Sequence, residues 1–204
     1  FVKPYGMILV TGPTGSGKST TLYATLNIVS RPEVNVITVE DPVEYRLPGI
    51  NQVQTNNKAG LTFSSALRSI LRSDPDIVLL GEVRDGETAH IAVEAALTGH
   101  LVLTTLHTND APSAIVRLTE MGIEPFLVGS ALDCVLAQRL ARRLCSKCKE
   151  PYTPTKETLL ANRFPWEDGM ELPTLYRPTG CQACAKTGYK GRLALHEVMA
   201  VSEE

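Results

Sequence analysis

Gly12-Pro13-Thr14-Gly15-Ser16-Gly17-Lys18-Ser19 is the segment whose residue types and spacing most clearly define a chemistry. Glycines at 12, 15 and 17 let the backbone curl until successive amides point inward at one anion, and a helix that follows adds the positive end of its dipole. The spacing predicts a nucleoside triphosphate cradle running from Gly12 to Thr20, with Lys18 bridging the outer phosphates and Ser19 offering its hydroxyl to magnesium. Phosphoryl transfer to water also needs a group that orients the water and positive charge facing the γ-phosphate. Glu40, Glu82 and His107 each follow a short apolar run and can supply parts of that set. Glu82 is assigned to the magnesium side, Glu40 to orienting the attacking water, and His107 to sensing the γ-phosphate. Asp41 or Glu44 is the alternative water-orienting acid, leaving Glu40 structural, and His107 also reads as a satisfied loop histidine.

A second chemistry lies in Cys145-Ser-Lys-Cys148 and Cys181-Gln-Ala-Cys184. Two such pairs brought together give the four thiolates of a closed, structural zinc site. The long gap between them fits an inserted excursion containing Trp166, and free thiols or a redox pair are the competing readings. Cys134, in a helix-like pattern, reads as a small buried hydrophobe.

These groups must be held by elements. Met7 to Val10 reads as a strand before the loop, and Leu22, Leu26 and Val29 recur at helical spacing after it. Strands are expected at 34–39, 77–80 and 101–106, with a connecting loop after Glu40. Helices are expected at 63–71, 87–99, 113–121 and 126–144. Strands alternating with helices argue for an α/β fold with a mostly parallel sheet covered on both faces. In such sheets ligands sit beyond the carboxyl ends of the strands, where Glu40, Glu82 and His107 fall. His100 and His107 flank one strand and stand roughly 20 Å apart if it is straight, so both cannot touch one phosphate. The expected organisation is a nucleotide-binding core over 1–144, a tetracysteine subdomain over 145–190, and a strand in 191–204 returning to the core.

At 204 residues and 43% hydrophobic the chain can bury a full core, and 20 basic against 22 acidic residues give a net charge of −2, with no global field for nucleic acid. Apolar stretches fall short of the roughly 20 residues that span a bilayer, and no signal segment opens the chain, so the composition predicts a cytosolic protein. Because it begins at Phe1, close to its first strand, the chain is expected to be a piece of a longer protein.

Several segments together resemble the secretion ATPases of bacterial type II secretion and type IV pilus assembly: the phosphate loop, Val39-Glu-Asp-Pro-Val-Glu-Tyr45, Leu67 to Asp76, Gly81-Glu-Val-Arg-Asp85, Thr98 to Asn109, Met121 to Phe126, Ala137-Gln-Arg-Leu140 and the cysteine pairs. The resemblance implies a RecA-like core binding ATP and Mg2+, with Glu40 to Glu44 in an acidic box, Gly81-Glu82 closing the Walker B strand, His100 and His107 in a histidine box, and Zn2+ at the tetracysteine motif. It further implies homo-hexamers at the cytoplasmic face of the inner membrane that drive fibre assembly through a membrane platform protein, with assembly favoured over retraction by the cysteine pairs. Family members carry an amino-terminal domain that supplies arginines to the site, so this chain is expected to bind nucleotide and hydrolyse it slowly unless Arg68, Arg72 or Arg84 provides that charge. The competing reading is a nucleic-acid motor or binding module, for which Arg139, Arg142 and Arg143 are the candidate contacts. Near-neutral charge and few aromatic platforms weigh against it.

Overall fold

Short runs of valine, leucine and isoleucine form strands here because helices cover both of their faces. The computed structural model describes residues 4–167 and 169–202. In chain order the elements are β1 (Gly6–Thr11), α1 (Lys18–Val29), β2 (Val36–Glu40), β3 (Asn51–Gln54), α2 (Phe63–Ile70), β4 (Ile77–Leu80), α3 (Gly86–Leu97), β5 (Leu101–Leu106), α4 (Pro112–Glu120), α5 (Pro125–Ala131), β6 (Leu132–Leu144), β7 (Glu150–Tyr152), α6 (Lys156–Ala161), β8 (Leu175–Arg177) and β9 (Tyr189–Ala200). Seven strands form one sheet in the order β3-β2-β4-β5-β1-β6-β9. The pairings of β1 with β5 and β6, of β2 with β3 and β4, and of β4 with β5 are parallel, so the molecule is α/β with a mostly parallel sheet.

Alternate residues of each central strand enter different cores. Met7 and Leu9 of β1, with Val78, Leu80 and Val102, pack among α2, α3 and α5, whereas Ile8 and Val10, with Leu79 and Leu103, pack on Leu22, Tyr23 and Leu26 of α1. This two-sided burial makes the central strands continuous apolar runs. It also fixes which ends of β2, β4 and β5 lie together.

Two segments differ from the sequence expectation. The loop after Glu40 contains β3, whose Asn-Gln-Val-Gln sequence is polar because it lies at the sheet edge and is only partly buried. The helix expected over 126–144 ends at Ala131, and 132–144 is the strand β6. Leu132, Val135 and Leu136 fit a helical period, but Ile8 to Thr11 pair in parallel register with Cys134 to Ala137, and burial of consecutive residues 135–138 removes the alternation that marks a strand.

The chain divides into two compact units, one formed by residues up to Arg139 together with those from Ala194 onward, the other Leu140–Leu193. The second unit contains α6, the antiparallel pair β7-β8 and all four paired cysteines. Among the described residues no helix is long and apolar enough to cross a membrane.

Candidate functional site

The loop between β1 and α1 depends on glycine. Gly12 has φ +143°, and a Cβ there would stand 2.3 Å from the Gln138 carbonyl oxygen and 2.8 Å from Ser16 Oγ, so only a hydrogen fits. Gly17 caps α1 at φ 89°, in the left-handed region, with no side chain capping the helix and no acidic residue in its first turn. Its leading N–H groups therefore keep their partial positive charge for an anion. Pro13, Thr14 and Gly15 are exposed along the rim, as are Ser19 and Thr20 at the start of α1.

Lys18 folds back on this loop, its Nζ donating to the carbonyls of Gly12 at 2.9 Å and Pro13 at 3.3 Å. Burial lowers its pKa, and the negative charge of Glu82 opposes that shift. The Ser16 hydroxyl is buried without a hydrogen-bond partner among the described residues. A cradle held open by Gly12, an unpaired buried hydroxyl and a lysine resting on main-chain oxygens fit a phosphate ligand.

The ends of β2, β4 and β5 converge through main-chain and threonine bonds. Gly81 N–H donates to Val39 O at 2.8 Å, Thr105 Oγ1 to Gly81 O at 2.8 Å, and Val83 N–H to Thr105 O at 3.0 Å. These contacts bring Glu82 and His107 together, with His107 Nε2 3.4 Å from Glu82 Oε2. Arg84 donates to the other oxygen of Glu82 and stands 3.5 Å from Asp41, while its guanidinium lies 5.8 Å from the Phe63 ring centroid. Glu82, Arg84, Leu106, His107 and Arg117 line an open depression here. Thr11, at the end of β1, ties the turn after His107 to the phosphate-loop strand: Thr108 N–H donates to its Oγ1 at 2.9 Å.

Glu40, expected to orient the attacking water, has its carboxylate turned inward. It is 4% exposed and accepts from the Tyr23 hydroxyl, from Thr38 Oγ1 at 2.6 Å and from Gln52 Nε2 at 3.1 Å. Burial and then the bond to Glu40 raise the pKa of Tyr23, keeping that hydroxyl a donor. Asp41, one residue on, has a side chain 35% exposed and faces Arg84. His100 lies at the opposite end of β5 from His107. Its Nδ1 is 3.0 Å from Ala95 O, and because a carbonyl can only accept, Nδ1 carries the proton.

Of the arginines considered from the sequence, Arg84 alone contacts Glu82; Arg68 pairs with Glu87 at 2.8 Å. Arg139 donates to the backbone and side-chain oxygens of Asn109, and Arg142 stacks 4.0 Å over the Tyr189 ring. Sequence reasoning missed Tyr23 and Gln52, which hold Glu40, and Gln138, which reaches the phosphate loop. Their partners are remote in the chain; Tyr23 closes the segment Gly12 to Tyr23 and Gln138 lies in Ala137-Gln138-Arg139-Leu140, both part of the family resemblance, but neither pattern signals what the side chain holds.

In the second unit, Cys145, Cys148, Cys181 and Cys184 present sulfurs that all lie within 4.8 Å of one another. The Cys145–Cys181 separation is 4.0 Å, and Cys148–Cys184 and Cys181–Cys184 are each 3.8 Å. Four thiolates about 2.3 Å from a tetrahedral zinc stand about 3.8 Å apart, so the cluster fits that metal. The N–H of Cys181 and then that of Gly188, each 3.2 Å from Cys184 Sγ, lower the pKa of this thiol to about 6, favouring the ligating thiolate. Cys134 stands apart on β6, with its pKa raised by burial.

A model of the family described as "Type II/IV secretion system protein" matches residues 1–204. The chain is 56% identical over 202 residues to the type IV pilus assembly ATPase PilB of Thermus thermophilus, covering 99% of this chain and 23% of that protein. It is 55% identical to the type II secretion system protein E of Aeromonas hydrophila, covering 98% of this chain and 40% of the relative. Among solved structures, the pilus retraction motor PilT with bound ADP aligns at TM-score 0.66 and 38% identity, covering 71% of this chain and 45% of that one. The Legionella pneumophila ATPase DotB aligns at TM-score 0.66 and 26% identity, covering 99% and 47%. This chain thus spans less than half the length of each of these relatives.

Proposed function

Since the chain belongs to the type II/IV secretion system protein family, we propose that it binds and hydrolyses ATP and that, in the longer protein, it powers assembly of a type II secretion pseudopilus or a type IV pilus. The observation that carries this reading is Lys18 Nζ on the Gly12 and Pro13 carbonyls, within a glycine-shaped loop and within electrostatic reach of Glu82. A triphosphate offers that ammonium group stronger acceptors than two neutral carbonyls. Its arrival would turn Lys18 from the loop to the β and γ oxygens.

Ser19 and Glu82 would hold magnesium, which supplies charge neutralisation on those oxygens when bound; a hydroxyl and a carboxylate are the hard oxygen donors it prefers. Arg84 and His107 hold Glu82 by its two oxygens, and in this reading His107 senses the γ-phosphate by trading Glu82 for it. For the water-orienting acid, the enclosure of Glu40 by Tyr23, Thr38 and Gln52 supports the alternative in which Glu40 fixes the end of β2 and Asp41 meets the water. Cys145, Cys148, Cys181 and Cys184 hold structural zinc.

In this reading the working form of the longer protein is a homo-hexamer at the cytoplasmic face of the inner membrane, coupled to a membrane platform protein, as the family resemblance implies; the names of the relatives support only the roles in pilus assembly and type II secretion. Calorimetry with Mg-ATP on this chain and on Lys18→Ala tests the core of it. The natural sequence takes up one nucleotide, and the variant weakens binding about 100-fold or more, the scale of losing a charged contact to phosphate. No uptake by well-folded natural chain overturns the reading. ATPase stimulation of the longer protein by its purified platform protein tests the motor role, and a salt-dependent DNA titration tests the nucleic-acid alternative.

A further inference from the structure

One side chain from a neighbouring strand grips the phosphate loop from outside. Gln138 follows Ala137, the residue of β6 that pairs with Thr11 at the end of β1, and it is 3% exposed. Its Nε2 donates to the Ser16 carbonyl at 2.7 Å, and its Oε1 accepts from the Thr21 hydroxyl at 2.7 Å. Its own carbonyl stands 2.3 Å from where a Cβ of Gly12 would lie. A single residue thus meets the entry of the loop, its tip and the first turn of α1.

The amide fits only one way round. Ser16 O can only accept, so Nε2 faces it, which leaves Oε1 for the hydroxyl of Thr21. In a trans peptide plane the carbonyl and the following N–H point in opposite directions. Pinning the Ser16 carbonyl toward β6 therefore aims the Gly17 N–H away from β6. Gly17, at φ 89°, has little steric preference of its own, so without that bond the peptide is free to rotate.

We propose that Gln138 is a positioning residue for nucleotide binding, which fixes the Ser16–Gly17 peptide in its anion-receiving orientation before the ligand arrives. This rests on the reading that the loop binds a triphosphate. The group never touches nucleotide in this scheme; it lowers the ordering cost that the phosphates would otherwise meet on binding.

The test compares the natural chain with Gln138→Met, of similar length but without donor or acceptor, and with Gln138→Glu, read at a pH where it is ionised, which keeps an acceptor for Thr21 but cannot donate to Ser16. Kd for Mg-ATP is measured by calorimetry, KM and kcat by phosphate release, and amide hydrogen exchange over residues 13–18 without nucleotide. Both variants should raise Kd and KM about 10- to 100-fold, change kcat at saturation by less than about threefold, and speed exchange in the loop. A variant that melts earlier yet binds Mg-ATP as the natural chain does would make Gln138 purely structural and overturn the proposal. Should Gln138→Met fail to fold, Gln138→Glu decides by the same readings. If the natural chain itself takes up no nucleotide, the functional reading falls, and unchanged loop exchange in the variants then overturns the clamp as well.

Discussion

Glu40 and Asp41 are adjacent carboxylates in opposite circumstances, and their substitution separates structure from chemistry at the level of single residues. Three donated bonds hold Glu40, which is 4% exposed, so Glu40→Gln replaces a charged acceptor by an amide whose N–H2 makes one partner give up the bond it donates. That change should cost about 1–3 kcal/mol of stability, read from denaturant unfolding. Asp41→Asn, at a half-exposed side chain opposite Arg84, should leave stability nearly unchanged and reduce turnover with Mg-ATP binding retained. Equal turnover in Asp41→Asn and the natural chain would take the water-orienting role from Asp41 and leave it to Glu44 or Glu40. His107→Ala offers a parallel measurement. Its ring is half-exposed and contacts Glu82 at 3.4 Å, so a sensor role predicts Kd for Mg-ATP within about threefold of the natural value and kcat lowered about 10-fold or more.

Among the elements, β6 best shows what sequence could and could not tell. The phosphate loop, the acidic strand ends and the paired cysteines are patterns within a few residues, so their chemistry is legible before any fold is known. The strand β6 is not: Leu132, Val135, Leu136 and Leu140 satisfy a helical period, and Leu, Ala and Arg are good helix formers. Parallel pairing with β1 overrides that local preference, and the strand then carries Gln138 to a loop 122 residues away in sequence. The shell around Glu40 was hidden for the same reason, since Tyr23 on α1 and Gln52 on β3 reach it across the sheet. The close approach of β6 also yields a prediction for the loop. In Gly12→Ala the methyl group meets Gln138 O at 2.3 Å and the backbone is strained at φ +143°, so β6 and the loop must separate. Loss of at least about 2 kcal/mol of stability, together with Mg-ATP binding, is the expected outcome of unfolding and calorimetry. The shift follows from backbone contact and not from chemistry at the phosphates.

For the whole molecule the division into two compact units makes metal and nucleotide separable. The unit Leu140–Leu193 buries little apolar side chain: among its described residues Leu159 and Trp166, with Cys145 and Cys184, are the buried hydrophobic positions. A core that small needs a cross-link, and a metal held by the four sulfurs would join Cys145-x-x-Cys148 to Cys181-x-x-Cys184 across 36 residues. The other unit draws its stability from two layers of helices on a parallel sheet and contains Gly12 to Thr20, Glu82 and His107. Cys148→Ser should therefore release the metal, measured as zinc per chain, and make amides between 145 and 190 exchange faster. Kd for Mg-ATP should stay within about twofold, because among the described residues the loop is held by Lys18 on its own carbonyl and by Gln138, both in the other unit. Acid should act in the same direction, because thiols bind a metal only after losing their protons, so lowering the pH should release it. Retention of stoichiometric zinc in Cys148→Ser would show that the four sulfurs do not form one site. Loss of nucleotide binding alongside zinc would show instead that the two units are energetically one.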